Sequence, residues 1–233
     1  MYRRAVLEVA RPAARLLPVT LAGPAGSLEG LLRLPEEVRG AAVFAHPHPQ
    51  HGGTLHTKVV HRAARLLADR FSLASLRFNF RGVGASEGRY DEGRGETEDL
   101  VAAGRFVREK YPEGPMVLGG FSFGSICALR AARVLSPDVL FLVGVPLNAF
   151  AGEARPYGGV AWNELESGVS CPVVWAHGGR DEYGEARRAQ EIAQRKGWRL
   201  VPVPPADHFF TGHLDDLERQ AADALGELLP SPR

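Results

Sequence analysis

The residues that could do chemistry begin with a serine. Gly120-Phe121-Ser122-Phe123-Gly124 and Gly84-Ala85-Ser86-Glu87-Gly88 both spell G-x-S-x-G. That pattern carries chemistry only as a sharp strand-to-helix turn, which strains the serine backbone and projects its hydroxyl from a sheet edge. Glycine is needed two residues to either side because a side chain there would strike the neighbouring strand or helix. Ser122 has the right surroundings: the apolar run 116–120 precedes it and a helix-like run to 135 follows. A helix N-terminus at Ser122 also sets a partial positive charge beside a developing anion. Ser86 lies in a glycine-rich, charged loop that continues through Arg89-Tyr90-Asp91-Glu92 and reads as loop structure. Ser122 is therefore the candidate nucleophile.

A serine hydroxyl attacks well only when a base takes its proton, and imidazole titrates near neutrality. His177, His208 and His213 lie downstream of Ser122, and a histidine cluster lies upstream. His208 follows the last apolar strand and precedes the last helix, so it occupies a strand-end loop. His213 falls at the start of that helix, and His177 lies within or at the end of a strand. The imidazole in turn needs a carboxylate to fix its tautomer and stabilise its charged form. Asp181 closes the turn Gly178-Gly179-Arg180-Asp181 after the strand at 173–177, with Glu182 and Asp207 as competitors. Asp207 adjoins His208, and neighbours in sequence rarely face each other. The order Ser122, Asp181, His208 is that of nucleophile, acid and histidine in α/β-hydrolases.

Further segments agree in order: His46-Pro47-His48-Pro49 with Gly52-Gly53, then Arg77-Phe78-Asn79-Phe80-Arg81-Gly82-Val83-Gly84-Ala85-Ser86, the turn at Ser122, Gly178-Gly179-Arg180-Asp181, and Asp207-His208-Phe209-Phe210. From about residue 41 to 225 the chain resembles the small α/β-hydrolases of the dienelactone-hydrolase-like and bacterial serine esterase group. Dienelactone hydrolases proper use a cysteine nucleophile where this chain has Ser122, so the resemblance does not carry their substrate.

Attack on a carbonyl also needs two donors for the oxyanion. The Phe123 N–H, directly after the nucleophile, is one. The second should come from the loop after the strand ending at Ala45. Pro47 and Pro49 have no N–H, which leaves the backbone of His48. In the related hydrolases this loop reads His-Gly-x, with x at His48.

His46, His48 and His51 also spell H-x-H-x-x-H, which is similar to the H-x-H-x-D-H motif of metallo-β-lactamase-like hydrolases, with Gln50 at the aspartate. Imidazoles at that spacing can ligate zinc, so a metal-dependent hydrolase using His46, His48 and His51 is one alternative. A non-catalytic α/β-hydrolase scaffold used for binding is another. Arg77 and Arg81 flank a strand end, where they either bind a substrate anion or, as favoured here, pin loops.

These residues need elements to position them. Strands are expected within 16–34 (two, around Gly23-Pro24-Ala25-Gly26), at 41–45, 73–80, 116–121, 139–145, 173–177 and 200–203. Helices are expected at 55–69, 96–110, 123–135, 184–196 and 213–229. Strands alternating with helices of 10–15 residues imply crossover units. The expected fold is α/β: an α/β-hydrolase fold with a mostly parallel twisted sheet, helices on both faces and no large lid domain. One domain over residues 1–233 is expected, with 146–170 as a short cap that includes Tyr157. Phe150 and Trp162 from that segment, together with Phe209, are the candidate substrate-binding side chains.

Composition sets the outer bounds. Hydrophobic residues make up 45% of the 233 and charged residues 24%, which excludes a mainly disordered chain. A net charge of +1 offers no basic field for nucleic acid or an anionic membrane. Two cysteines, Cys127 and Cys171, exclude a disulfide framework. After Arg3 and Arg4 only Ala5, Val6 and Leu7 precede Glu8, too short for a signal-peptide core. No apolar run approaches the ~18 residues of a membrane span, so the expected location is the cytoplasm. The reading is a serine hydrolase of carboxylesterase type. It would cleave a small-molecule acyl substrate (carboxylic ester, thioester or lactone) through an acyl-enzyme, with no metal and no cofactor. A homodimer is compatible with all of this.

Overall fold

The structure, a computed structural model, describes residues 14–152 and 154–229. The N-terminal arginines and the short apolar run after them lie outside the described residues. Eight strands form one sheet: β1 (Arg15–Gly23), β2 (Gly26–Leu34), β3 (Gly40–Ala45), β4 (Leu73–Phe78), β5 (Met116–Phe121), β6 (Val139–Val143), β7 (Val173–Gly178) and β8 (Arg199–Val203). Their order is β1-β2-β4-β3-β5-β6-β7-β8. β1 and β2 make an antiparallel hairpin, β2 runs antiparallel to β4, and the other pairs are parallel.

Every residue of β3 to β7 is buried, because helices cover both faces of the parallel part. Helices α1 (Lys58–Phe71) and α7 (Leu214–Gly226) pack on one face. Helices α2 (Arg94–Lys110), α3 (Phe123–Leu135) and, later in the chain, α6 (Ala186–Lys196) pack on the other. Alternation along a single strand feeds both cores. In β3, Ala41, Val43 and Ala45 join one cluster, while Ala42 and Phe44 join the other. Each fully buried Val, Leu or Phe is worth roughly 1.5–3 kcal/mol, so the carboxyl ends of these strands are firm mounts for side chains.

The element boundaries shift for local reasons. The helix expected at 55–69 starts later because Leu55 N–H donates to Asn79 Oδ1 (2.8 Å) and Thr57 N–H to the Thr54 carbonyl (3.0 Å), holding a turn first. The strand expected to reach 145 stops at Val143, where Gly144 turns the chain with a φ of 54°. Between β6 and β7 the described residues make only a 3-10 turn (Leu147–Phe150), a kinked turn α4 (Pro156–Gly159) and the short helix α5 (Trp162–Ser167). These are too small to be a lid domain. From β3, the next strand in sequence, β4, lies on one side, while β5 lies on the other. The resulting crevice at the carboxyl ends is where open α/β sheets bind ligands.

Candidate active site

Ser122 stands at that crevice. It follows β5 directly and caps α3, with φ 54° and ψ −121°, a conformation that costs a non-glycine residue free energy. Its flanking glycines are sterically required. A Cβ on Gly120 would overlap the Gly124 carbonyl, and one on Gly124 would lie 2.6 Å from both the Ala45 and the His46 carbonyl oxygens. The second contact is informative, because it presses the start of α3 against the loop after β3.

A hydrogen-bond relay leads away from the serine. Ser122 Oγ lies 2.9 Å from His208 Nε2, and His208 Nδ1 lies 2.9 Å from each carboxylate oxygen of Asp181. With Asp181 ionised, Nδ1–H donates to it, so Nε2 is the free acceptor for the serine proton. Asp181 Oδ1 also accepts the Tyr183 N–H (2.8 Å) and the Gly184 N–H (3.1 Å), which fixes the carboxylate. Both Asp181 and His208 are buried. Of the competing acids, Glu182 reaches only the His208 backbone N–H, at 3.4 Å, and Asp207 accepts from the Thr211 N–H at 2.9 Å. His213 pairs with Asp216 at 3.2 Å, at the start of α7.

His177 supports the acid loop from beneath. Its Nε2–H donates to the Gly184 carbonyl (2.7 Å), and its Nδ1 is buried with no partner among the described residues, 4.0 Å from Asp181 Oδ2. Burial pushes its pKa down, which keeps the ring neutral there.

The loop after β3 borders the serine from the other side. His46 is fully buried; its Nε2 accepts the Phe80 N–H (3.1 Å), so its Nδ1–H donates to the Pro47 carbonyl (2.6 Å). Burial lowers its pKa to about 4. His48 Nδ1 accepts the Gln50 N–H (3.2 Å), so Nε2–H faces Tyr90 Oη at 3.0 Å. Its ring lies 5.0 Å from that of Phe123. Burial, then the neighbouring His51, lower the His48 pKa. Among the described residues nothing accepts from the His48 N–H. The Phe123 N–H, at the first position of α3, has no carbonyl to donate to within the helix. Gly53 lets the loop fold back, since a Cβ there would overlap the Pro47 carbonyl.

The three histidines His46, His48 and His51 do not form one ligand set. Both nitrogens of His46 are engaged inside the protein, while His48 and His51 stack on each other at 4.4 Å. Among the described residues no cluster of His, Cys, Asp and Glu is arranged to hold a metal ion.

Of the expected substrate-binding side chains, Phe209 is 49% exposed and its ring lies 5.2 Å from that of His208. Phe150 and Trp162 are buried, 5.7 Å apart, and stand behind Tyr157 in the core. Tyr157 itself reaches the site, 5.3 Å from Phe123 and 6.0 Å from His48. Tyr90 and Tyr183 also border these residues; Tyr183 is signalled in the sequence as a neighbour of Asp181, whereas nothing in the sequence marks Tyr90. Ser86 is buried, donating to the Asn79 carbonyl (2.7 Å) and accepting the Glu29 N–H (2.9 Å), so it is structural. Arg77 and Arg81 pin loops as expected: Arg77 donates to the Leu55 carbonyl (2.6 Å), and Arg81 pairs with buried Asp99 (2.8 Å).

Among known proteins, the α/β hydrolase fold family matches residues 50–145. The chain is 32% identical to a Xanthomonas campestris α/β serine hydrolase without a lid, over 94% of this chain and 97% of that one, with a TM-score of 0.79. An α/β serine hydrolase homologue from Coxiella burnetii is also 32% identical, over 90% and 97%, with a TM-score of 0.79. An uncharacterized protein of Rickettsia prowazekii is 27% identical over 214 residues, 87% of this chain and 86% of the relative.

Proposed function

The chain belongs to the α/β serine hydrolases, and from that premise we propose that it hydrolyses small carboxylic esters through an acyl-enzyme at Ser122. The observation that carries this reading is the unbroken relay from Ser122 Oγ through His208 to Asp181, each link at 2.9 Å. Nε2 of His208 takes the Ser122 proton as Oγ forms its bond to the ester carbonyl carbon. The carbonyl oxygen becomes an oxyanion, and the Phe123 and His48 N–H groups donate to it. The bond to the alcohol oxygen then breaks, and that oxygen leaves with the proton held on Nε2. Water repeats the sequence on the acyl-enzyme, giving its proton to His208 and releasing the acid. Asp181 stays ionised throughout and stabilises the imidazolium.

The 146–170 segment serves as a short cap whose Tyr157 borders the oxyanion side. An ester is favoured over an amide because it asks least of the leaving group. The test is labelling with a fluorophosphonate, followed by peptide mapping, alongside hydrolysis of short-chain esters. Label on Ser122 with ester turnover, both lost in Ser122→Ala, is the expected result. Turnover that survives Ser122→Ala, or label that maps elsewhere, overturns the reading.

A further inference from the structure

Among the described residues, the large apolar side chains that stand well into water are Leu16, Val134, Leu228, Tyr183 and Phe209. The first three lie on strand β1, at the end of α3 and just after α7, and single exposed apolar residues need no explanation. Tyr183 and Phe209 differ, because they come from separate loops, after β7 and after β8, and converge on one imidazole. The Tyr183 ring lies 4.5 Å and the Phe209 ring 5.2 Å from His208. A third ring, Phe121 at 5.1 Å, is wholly buried and so takes no part in contact with a ligand.

Neither exposed ring is on a loose mount. The Tyr183 N–H donates to Asp181 Oδ1 at 2.8 Å, and its carbonyl accepts the Asn148 N–H at 2.9 Å. Phe209 is held between His208, tied to Asp181, and Phe210, which is fully buried. The loops therefore keep both rings about half in water, at 47% and 49% exposure, where apolar area gains nothing by itself.

Their position relative to the chemistry says what would cover them. The leaving oxygen must come within hydrogen-bond reach of His208 Nε2, the atom that protonates it. Whatever that oxygen carries is thus delivered beside the rings that flank His208. We propose that Tyr183 and Phe209 form the leaving-group subsite, and that the preferred substrates are esters of bulky apolar alcohols, aryl or arylalkyl in character. This rests on the ester reading above and adds to it the alcohol side of the specificity.

The experiment compares kcat/KM for benzyl acetate and methyl acetate, whose alcohols are alike in acidity, and for methyl butyrate as an acyl control. Wild type, Tyr183→Ala, Phe209→Ala and the conservative Tyr183→Phe are measured on all three. Wild type is expected to prefer the benzyl ester, and each alanine variant to lose about fivefold of the benzyl-to-methyl ratio. Tyr183→Phe should keep that ratio, and the butyrate-to-acetate ratio should hold across the set. A benzyl-to-methyl ratio unmoved by either alanine substitution overturns the subsite while leaving ester hydrolysis standing. So does a proportional fall on all three esters, which would make the rings supports of His208 only. Failure of the wild type on every ester removes the ester reading and this inference together.

Discussion

Acid should loosen this protein at one identifiable imidazole. His46 is fully buried beneath the oxyanion loop, accepts the Phe80 N–H through Nε2, and has its pKa lowered by burial from 6.5 to about 4. The unfolded chain takes up this proton near pH 6.5, whereas the folded chain resists it until about pH 4. Between those values the unfolded state binds more protons, so stability rises with pH; its full value is present above 6.5 and falls away as pH drops toward 4. Lowering that pKa from 6.5 to about 4 corresponds to roughly 3 kcal/mol, most of which is lost by pH 4.5. His46→Gln removes the titrating group while keeping a carbonyl oxygen for the Phe80 N–H. Urea unfolding of both proteins at pH 7.5, 6.0, 5.0 and 4.5 isolates the effect, because the other histidines lowered by burial, His48, His61 and His177, contribute equally to each. The variant should start less stable at pH 7.5 and lose about 2–3 kcal/mol less than wild type on going to pH 4.5. Equal losses in the two proteins would refute the reasoning.

The remaining expectations concern the site. Asp181→Asn should leave the fold intact and lower kcat by about 10⁴-fold, since the wrong tautomer would then face Ser122; a mild effect in steady-state assays would move the acid role to Glu182. His48→Pro suits the local φ of −53° but deletes the N–H, so kcat should fall by about 10²–10³-fold, against a smaller loss for His48→Ala. Equal damage from the two would place the role in the imidazole and its contact with Tyr90 instead. Gly124→Ala puts a methyl 2.6 Å from the Ala45 and His46 carbonyls, so either the helix start or the oxyanion loop must move. About 1–3 kcal/mol of stability and on the order of 10²-fold in rate should be lost, read by urea unfolding and ester turnover; wild-type behaviour in both would mean that the two amides are not held by this contact.

Much of this site was legible because its geometry is written in residue types that nothing else explains. Glycines at 120 and 124 are demanded by backbone atoms closer than any Cβ could approach, and proline at 47 and 49 leaves a single N–H between them. The strands were legible because a parallel sheet covered on both faces needs unbroken apolar runs, and β3 to β7 supply them. Helix starts were less so: Asn79 holds Leu55 from across the fold, and no local pattern announces a partner 24 residues away. Aromatic residues were the least legible. Phe150, Trp162, Tyr157, Tyr90 and Tyr183 look alike in a sequence, since a ring supports a core and lines a cleft with the same apolar area. Only the exposure of Tyr183 and Phe209 separates them from the buried pair, Phe150 and Trp162.

Each half of the site is held together by its own contacts, and that has consequences for how it can vary. Ser122 and Phe123 begin α3, which meets the His46 loop through the Gly124 contact. Asp181 and His208 sit on loops after β7 and β8, linked to each other at 2.9 Å and propped by His177 through Gly184. On the proposed mechanism the first half would fix where charge develops, and the second where the proton travels. A substitution at Gly124 or His46 should therefore depress every substrate alike, because it moves the oxyanion donors that all acyl transfers use. Substitution at Tyr183 or Phe209 leaves those donors in place, so its effect should depend on what the leaving oxygen carries. Specificity can then drift on the β7 and β8 loops without disturbing the serine turn.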